Sequence, residues 1–441
     1  MSAIELGIGS VVLIVVLIYA GLYIPVALGL VSFLGVWIMR GDIQLPINLL
    51  AIATADTVSH EVFATVPLFA MMGLLSARTG MGQDIYEVAN FVFCKVRGGL
   101  GIATVAANAV FASITGSSIA SASVFARISV PEMKKFGHTN RFAVGVVAGS
   151  SVLGMIIPPS AMLIIYAITA DQSIGQLFLA GVIPGLILSV AYAVAILGMA
   201  YVAPRFVGVG QRAGETTGNE ERRSLTTTDI ILKLLPIAVL VVMVLGGIYL
   251  GIFTAVEAGA VGALLALLIA LARRMLTWQG FWDCLVETGH ITATILFLII
   301  AASMYSRMLG VAGLPTMFGA WLEAQQLSVP MLMTYYVILL VLLGTIIDTA
   351  SMILIVAPLF LPMVEALELD LVWFGIVTVI GAEIGLLTPP LGISCFVIKS
   401  TLNDPDISLS DIFTGALPFA VIMLLVLILL IAYPELSLML I

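Results

Sequence analysis

Gly154-Met-Ile-Ile-Pro-Pro-Ser160 and Gly385-Leu-Leu-Thr-Pro-Pro390 are the two stretches whose reading decides the fold. Each interrupts a long apolar run, Arg141 to Ala170 in the first case and Val372 to Lys399 in the second. Adjacent prolines remove two backbone donors and clash with the preceding turn, so no helix passes through either stretch unbroken. The chain around them is membrane-like. Of its 441 residues, 61% are hydrophobic and 10% charged, and the mean hydropathy is +1.21. Soluble domains carry about 25% charged residues. Apolar runs of about 18 residues or more recur from end to end, each able to cross ~30 Å of hydrocarbon as a helix. They lack the alternation of a membrane barrel. The class is an all-α polytopic membrane protein, and its broken helices free carbonyls at a depth where only protein or a solvated cavity can cover them.

Working outward, a polar-tipped hairpin precedes each broken helix. Residues 98–130 contain Ser113-Ile-Thr-Gly-Ser-Ser118, and residues 331–366 contain Asp348-Thr-Ala-Ser351. If these polar stretches are unwound, the first leaves legs of about 13 residues, roughly 20 Å each and too short to span. A re-entrant hairpin is expected in both places. The segments divide as N-terminal scaffold helices (1–60), a first repeat (61–204, with hairpin 98–130 and broken helix 141–170) and a polar cytoplasmic linker (205–228). Central scaffold helices (229–290) and a second repeat (291–441, with hairpin 331–366 and broken helix 372–399) follow. Residues 275–287 read as amphipathic and 291–311 as a separate span. Cys94, Cys284 and Cys395 read as small core residues.

The two halves are related by an offset of 231 residues (385 minus 154). The same offset links Pro131 with Pro362 and sets Ser117 opposite Asp348. Two matched motifs at one register indicate an internal repeat. Basic residues place Arg97, Lys134, Arg141, Arg205, Arg222, Arg223, Arg273 and Arg274 inside. Counting spans from there, the broken helices run in opposite directions. The repeats are therefore predicted to be inverted, a transporter architecture. Both termini fall outside, with Arg40 an exception to the positive-inside rule.

Unwound carbonyls and hydroxyls beside such breaks can replace the hydration shell of a sodium ion, and half-helix N-termini favour a carboxylate. Small polar residues also serve merely to let helices pack closely. Asp348, an ionisable group at predicted mid-membrane depth, is placed to ligate sodium, to cap a half-helix or to carry a proton. Arg307 can pair bidentately with a substrate carboxylate, or it can snorkel or pair with Glu323. Glu257 and Glu383 are further intramembrane carboxylates, and Glu383 is expected to bond neighbouring backbone. No phosphate-binding Gly-x-x-x-x-Gly-Lys-Ser/Thr loop, nucleophile–base set or nucleic-acid-binding basic cluster occurs. An enzyme is not expected.

Phe111-Ala-Ser-Ile-Thr-Gly-Ser-Ser-Ile-Ala-Ser-Ala, Pro131-Glu-Met, Gly154-Met-Ile-Ile-Pro-Pro-Ser, Ile347-Asp-Thr-Ala-Ser and Gly385-Leu-Leu-Thr-Pro-Pro-Leu-Gly together resemble the large membrane subunit of tripartite ATP-independent periplasmic (TRAP) transporters. The resemblance covers nearly the whole chain. It implies an elevator-type transporter of the inner membrane, driven by sodium and carrying carboxylates. It implies no organic cofactor and two partners: a small four-helix membrane subunit and a soluble periplasmic substrate-binding protein. Some members fuse the small subunit at the N-terminus. This chain has no room for it, so a separate partner is expected. By position, the resemblance assigns sodium sites to Thr115, Gly116, Ser117, Ser118, Gly154 and Pro158, and to Asp348, Thr349, Ala350, Gly385 and Thr388. It assigns substrate contacts to Ser113, Thr115, Ser160 and Arg307. The alternative is a self-sufficient sodium- or proton-coupled carboxylate symporter of the wider ion-transporter superfamily, which takes up free substrate without a binding protein.

Overall fold

The structure, a computed structural model, describes residues 3–208, 225–314, 317, 328–390 and 392–441. Most of the 205–228 linker, including Arg222 and Arg223, lies outside the described residues, as does Glu323. Among the described residues every regular element is helical. Among the described residues seven helices are long and apolar enough to cross a membrane, and eight if the bent pair Asn140–Ile156 and Ala161–Thr169 counts as one span.

Helix Ile174–Val202 shows how the sequence separates lipid from core. Leu186, Val190 and Val194 are exposed at a spacing of four, while Leu188, Tyr192 and Ile196, at the same spacing, are buried. One face thus turns to hydrocarbon and the other inward. Inner contacts rely on small residues. A Cβ on Gly145 would lie 2.2 Å from the Gly415 carbonyl oxygen, so helices Asn140–Ser151 and Leu409–Ala432 meet backbone to backbone. Arg141 Nε and Asp411 Oδ1, at 2.7 Å, tie the same two helices at their ends.

Helices Ala3–Tyr19, Ile24–Arg40 and Gln44–Ser59 lead the chain, and the second packs on both of the others. The second and third also pack on Trp278–Val311. That 34-residue helix joins what the sequence divided into an amphipathic segment and a span. Its polar residues do not break it: Cys284 and Thr288 face inward four residues apart, while Glu287 and His290 are exposed. Cys94 is exposed rather than in the core; it follows helix Met81–Phe93 and its Sγ bonds the Phe91 carbonyl at 3.2 Å.

The first hairpin consists of helices Gly99–Thr115 and Ser118–Lys135, and the second of Val329–Gly344 and Thr349–Ala366. The first broken helix runs Asn140–Ser151, Leu153–Ile156 and Ala161–Thr169, with a 43° bend. The second runs Leu371–Leu387 and Ile393–Leu402. The halves cross. The return leg of the first hairpin packs on Ile393–Leu402, and Ala161–Thr169 packs on the return leg of the second hairpin.

Outside the spans, Lys134 Nζ lies 2.6 Å from Asp404 Oδ2 and joins the base of the first hairpin to the loop after the second broken helix. The hydrogen bond from Lys134 holds the Asp404 carboxyl below its ordinary 3.8. A depressed carboxylate contributes stability that is complete above its ordinary value and is lost as pH falls through the lowered one. The thermal midpoint of the purified protein should therefore drop as pH falls below about 4, and Lys134→Met should lessen that drop. Equal acid sensitivity in the variant would exclude this pair as a contributor.

Candidate transport site

The first hairpin turns on two residues. Only Gly116 and Ser117 lie outside its helices, so the break is narrower than Ser113–Ser118 and the legs are 17 and 18 residues long. The reason is local bonding. Ser113 Oγ donates to Val110 O at 2.7 Å and Thr115 Oγ1 to Phe111 O at 3.0 Å, so both hydroxyls are satisfied inside the helix. Gly116 sits at φ +57°, in the left-handed region, and closes the first leg by donating to Ala112 O. Ser117 caps the second leg, accepting from Ala120 N at 3.3 Å. Ser118 follows with its Oγ buried and without a partner.

This tip rests on the first proline break. Ala161 N donates to Gly116 O at 3.4 Å. A Cβ on Gly154 would stand 2.9 Å from the Ser117 carbonyl oxygen, so only glycine lets the broken helix approach that closely. Pro158 and Pro159 are joined by a cis peptide, as are Pro389 and Pro390. Ser160 caps Ala161–Thr169, accepting from Leu163 N at 3.3 Å and donating to Met155 O at 2.5 Å across the break. Two helix N-termini, at Ser118 and Ala161, therefore begin beside one another, and both favour negative charge. One side chain latches hairpin to broken helix: Asn108 Nδ2 donates to Ser150 Oγ at 2.6 Å.

The second half is built in the same way with different residues. The hairpin breaks at residues 345–348, earlier than the polar stretch Asp348–Ser351 implied, because Thr349, Ala350 and Ser351 already belong to the return helix. Asp348 is its N-cap: Oδ2 accepts from Ser351 N at 3.1 Å and Oδ1 from Ser351 Oγ at 2.5 Å. Gly344 and Gly385 are in backbone contact, with a Cβ on Gly385 falling 2.5 Å from Gly344 Cα. Thr388 ends helix Leu371–Leu387, its Oγ1 donating to Gly385 O at 2.8 Å. Tyr336 and Thr378 hydroxyls pair at 2.8 Å between hairpin and broken helix.

Two carboxylates differ from their sequence reading. Glu383 is fully buried and accepts from Thr349 Oγ1 at 2.8 Å; it bonds a side chain on the hairpin, not nearby backbone. Its other oxygen has no partner. Glu257 caps helix Ala255–Ala272 by a reciprocal box with Thr254. Among the described residues Arg307 pairs away from both tips. Its Nη2 lies 2.6 Å from Asp56 Oδ2 on helix Gln44–Ser59, while its Nε is buried without a partner. Asp56 was missed because a lone acid in a mixed segment carries no pairing signal.

Helices broken within apolar runs, each packed against a hairpin tip, with Pro158 and Pro159 buried and Pro389 and Pro390 exposed, define a helical membrane transport protein. Family comparison makes this specific. The profile described as "Tripartite ATP-independent periplasmic transporter, DctM component" matches residues 11–436. The chain belongs to the DctM family of TRAP transporter large subunits. It is 32% identical over 415 residues to the C4-dicarboxylate TRAP transporter large permease protein DctM of Pseudomonas aeruginosa, covering 93% of each chain. It is 30% identical over 395 residues to the sialic acid large permease SiaM of Vibrio cholerae, covering 89% of each. With the 2,3-diketo-L-gulonate large permease YiaN of Escherichia coli K12 it shares 28% identity, covering 91% of this chain and 90% of YiaN. Among solved structures, the YdaH transporter of Alcanivorax borkumensis has the same fold at TM-score 0.63 and 13% identity, covering 90% of this chain and 89% of that one. The relatives are named permeases, consistent with a role that is not enzymatic.

Proposed function

We propose that this chain is the transport subunit for sodium-coupled secondary active uptake of an organic carboxylate, which a periplasmic binding protein delivers to it. The small four-helix membrane subunit is its constant partner in the inner membrane, and both termini face the periplasm. One isethionate relative carries the name DctMQ and is longer, with only 62% of its length matched here; its name joins the two permease components. The two halves act as inverted repeats, and the hairpins and broken helices move together as an elevator against the scaffold.

One observation carries the reading: in each half a hairpin tip packs on the broken helix, at Gly154 to Ala161 in the first and at Gly385 in the second, and brings oxygen ligands to it. Buried oxygens of Ser118 and Glu383 there lack partners, and such atoms are costly unless something pairs with them. A hard cation takes oxygen ligands, so the donor set fits sodium. When bound, sodium supplies positive charge beside the substrate anion. The chain's own part is to hold Thr115 through Ser118 against Gly154 and Pro158, and Asp348 through Ala350 against Gly385 and Thr388. The capped N-termini at Ser118 and Ala161, with Ser113, Thr115 and Ser160, orient a carboxylate. The substrates in the relatives' names, C4-dicarboxylates, sialic acid and diketogulonate, are organic acids.

The test is uptake of labelled carboxylates into proteoliposomes holding this chain and its small partner. Uptake should require both an inward sodium gradient and the binding protein. Sodium-driven uptake of free substrate without the binding protein would overturn the delivered-substrate reading, and uptake indifferent to sodium would overturn the coupling.

A further inference from the structure

We infer that Glu383 is a positioning residue for the second hairpin tip, fixing the Thr349 hydroxyl so that its oxygen lone pairs are left for the coupling cation. The inference rests on the sodium reading above and goes beyond it, because Glu383 is in neither assigned ligand set.

Four observations meet at this residue. Glu383 has 0% exposure. Oε1 is 2.8 Å from Thr349 Oγ1. Oε2 is buried and has no partner. The bond joins two elements, since Glu383 lies two residues before the Gly344–Gly385 contact and Thr349 directly follows Asp348. The Thr349 hydroxyl carries one donor and two lone pairs, and it donates to Glu383 Oε1. In this pair the threonine therefore spends its proton on Glu383, and both lone pairs are free to face a cation. The other hydroxyls nearby give their hydrogens to acceptors within three residues, Ser351 to Asp348 and Thr388 to the Gly385 carbonyl, so of these three only the Thr349 bond runs from hairpin to broken helix. Outer carboxylates that take a ligand's hydrogen fix its orientation and make it more basic, and losing them typically costs 10- to 100-fold in cation affinity. A buried acid serving only as a staple between helix and hairpin would have no such effect on the cation.

The experiment uses the purified complex of this chain with its small subunit. Sodium chloride is titrated against choline chloride at constant ionic strength, and the sodium midpoint is read from thermal stabilisation. Uptake in proteoliposomes gives a second sodium midpoint and the substrate KM at saturating sodium. Glu383→Ala should raise both sodium midpoints on the order of 10-fold and leave that KM within about twofold. Glu383→Gln keeps an oxygen that accepts the same hydrogen and should stay near wild type. Thr349→Val should raise the midpoints as Glu383→Ala does, and the double variant should be no worse than either alone. A Glu383→Ala protein with a lower sodium-free melting temperature but an unchanged midpoint would reduce the residue to a staple. Glu383→Gln as impaired as Glu383→Ala, or additive single effects, would also overturn the inference. No sodium stabilisation in the wild-type complex would instead remove the cation reading on which it rests.

Discussion

Gly116→Ala should abolish uptake while the protein still reaches the membrane. Two constraints act on this one atom. The residue is at φ +57°, where an L side chain costs about 1–2 kcal/mol. The added Cβ would lie 2.4 Å from the Pro159 carbonyl oxygen, a backbone atom that cannot swing aside. Overpacking of this kind costs about 1–3 kcal/mol more, and the tip relieves it only by leaving the break that it covers. The Gly116–Ala161 bond would go with it. Gly198→Ala is the control, since a Cβ there meets nothing within 4 Å; it should transport normally. Uptake at the wild-type rate by a well-assembled Gly116→Ala complex would mean that the tip need not rest on the proline break during transport.

Arg307→Ala should lower carboxylate uptake by roughly 10- to 150-fold, while Asp56→Asn keeps most of it. A hydrogen bond to a charged group contributes about 1.5–3 kcal/mol, which sets that range. The structure makes the comparison necessary, because Arg307 is paired with Asp56 and their side chains are 33% and 56% exposed. An exposed pair of this kind contributes about 0–1 kcal/mol to stability, so neither variant should fail to assemble. The two models separate in the uptake rate. If Arg307 merely holds Asp56, both variants will behave alike, and the arginine leaves the substrate site.

The breaks were legible in the sequence almost to the residue, because proline acts through local covalent geometry. Pro158, Pro159, Pro389 and Pro390 fall where the helices stop. The hairpin tips were less legible. Ser113, Thr115 and Ser351 looked like unwound backbone because they are polar, yet serine and threonine can bond a carbonyl of their own helix or a cap and stay helical. Capping by Asp348 was one of three readings left open, and the structure displays it directly. Long-range partners were not legible at all. Asp56 is 251 residues from Arg307, Asp404 is 270 from Lys134, and Thr349 is 34 from Glu383. A single sequence has no periodicity that registers such pairs.

The crossing of the two halves sets a timetable for making the protein. The return leg of the first hairpin lies against Ile393–Leu402, and Ala161–Thr169 lies against Thr349–Ala366. Ribosomes add about 5–20 residues per second, so the first tip and break wait on the order of ten to fifty seconds for neighbours that have not yet been synthesised. During that interval the faces that will meet those neighbours are uncovered. Assembly of this chain is therefore gated by its C-terminal third, and the early half must be sheltered until that third arrives.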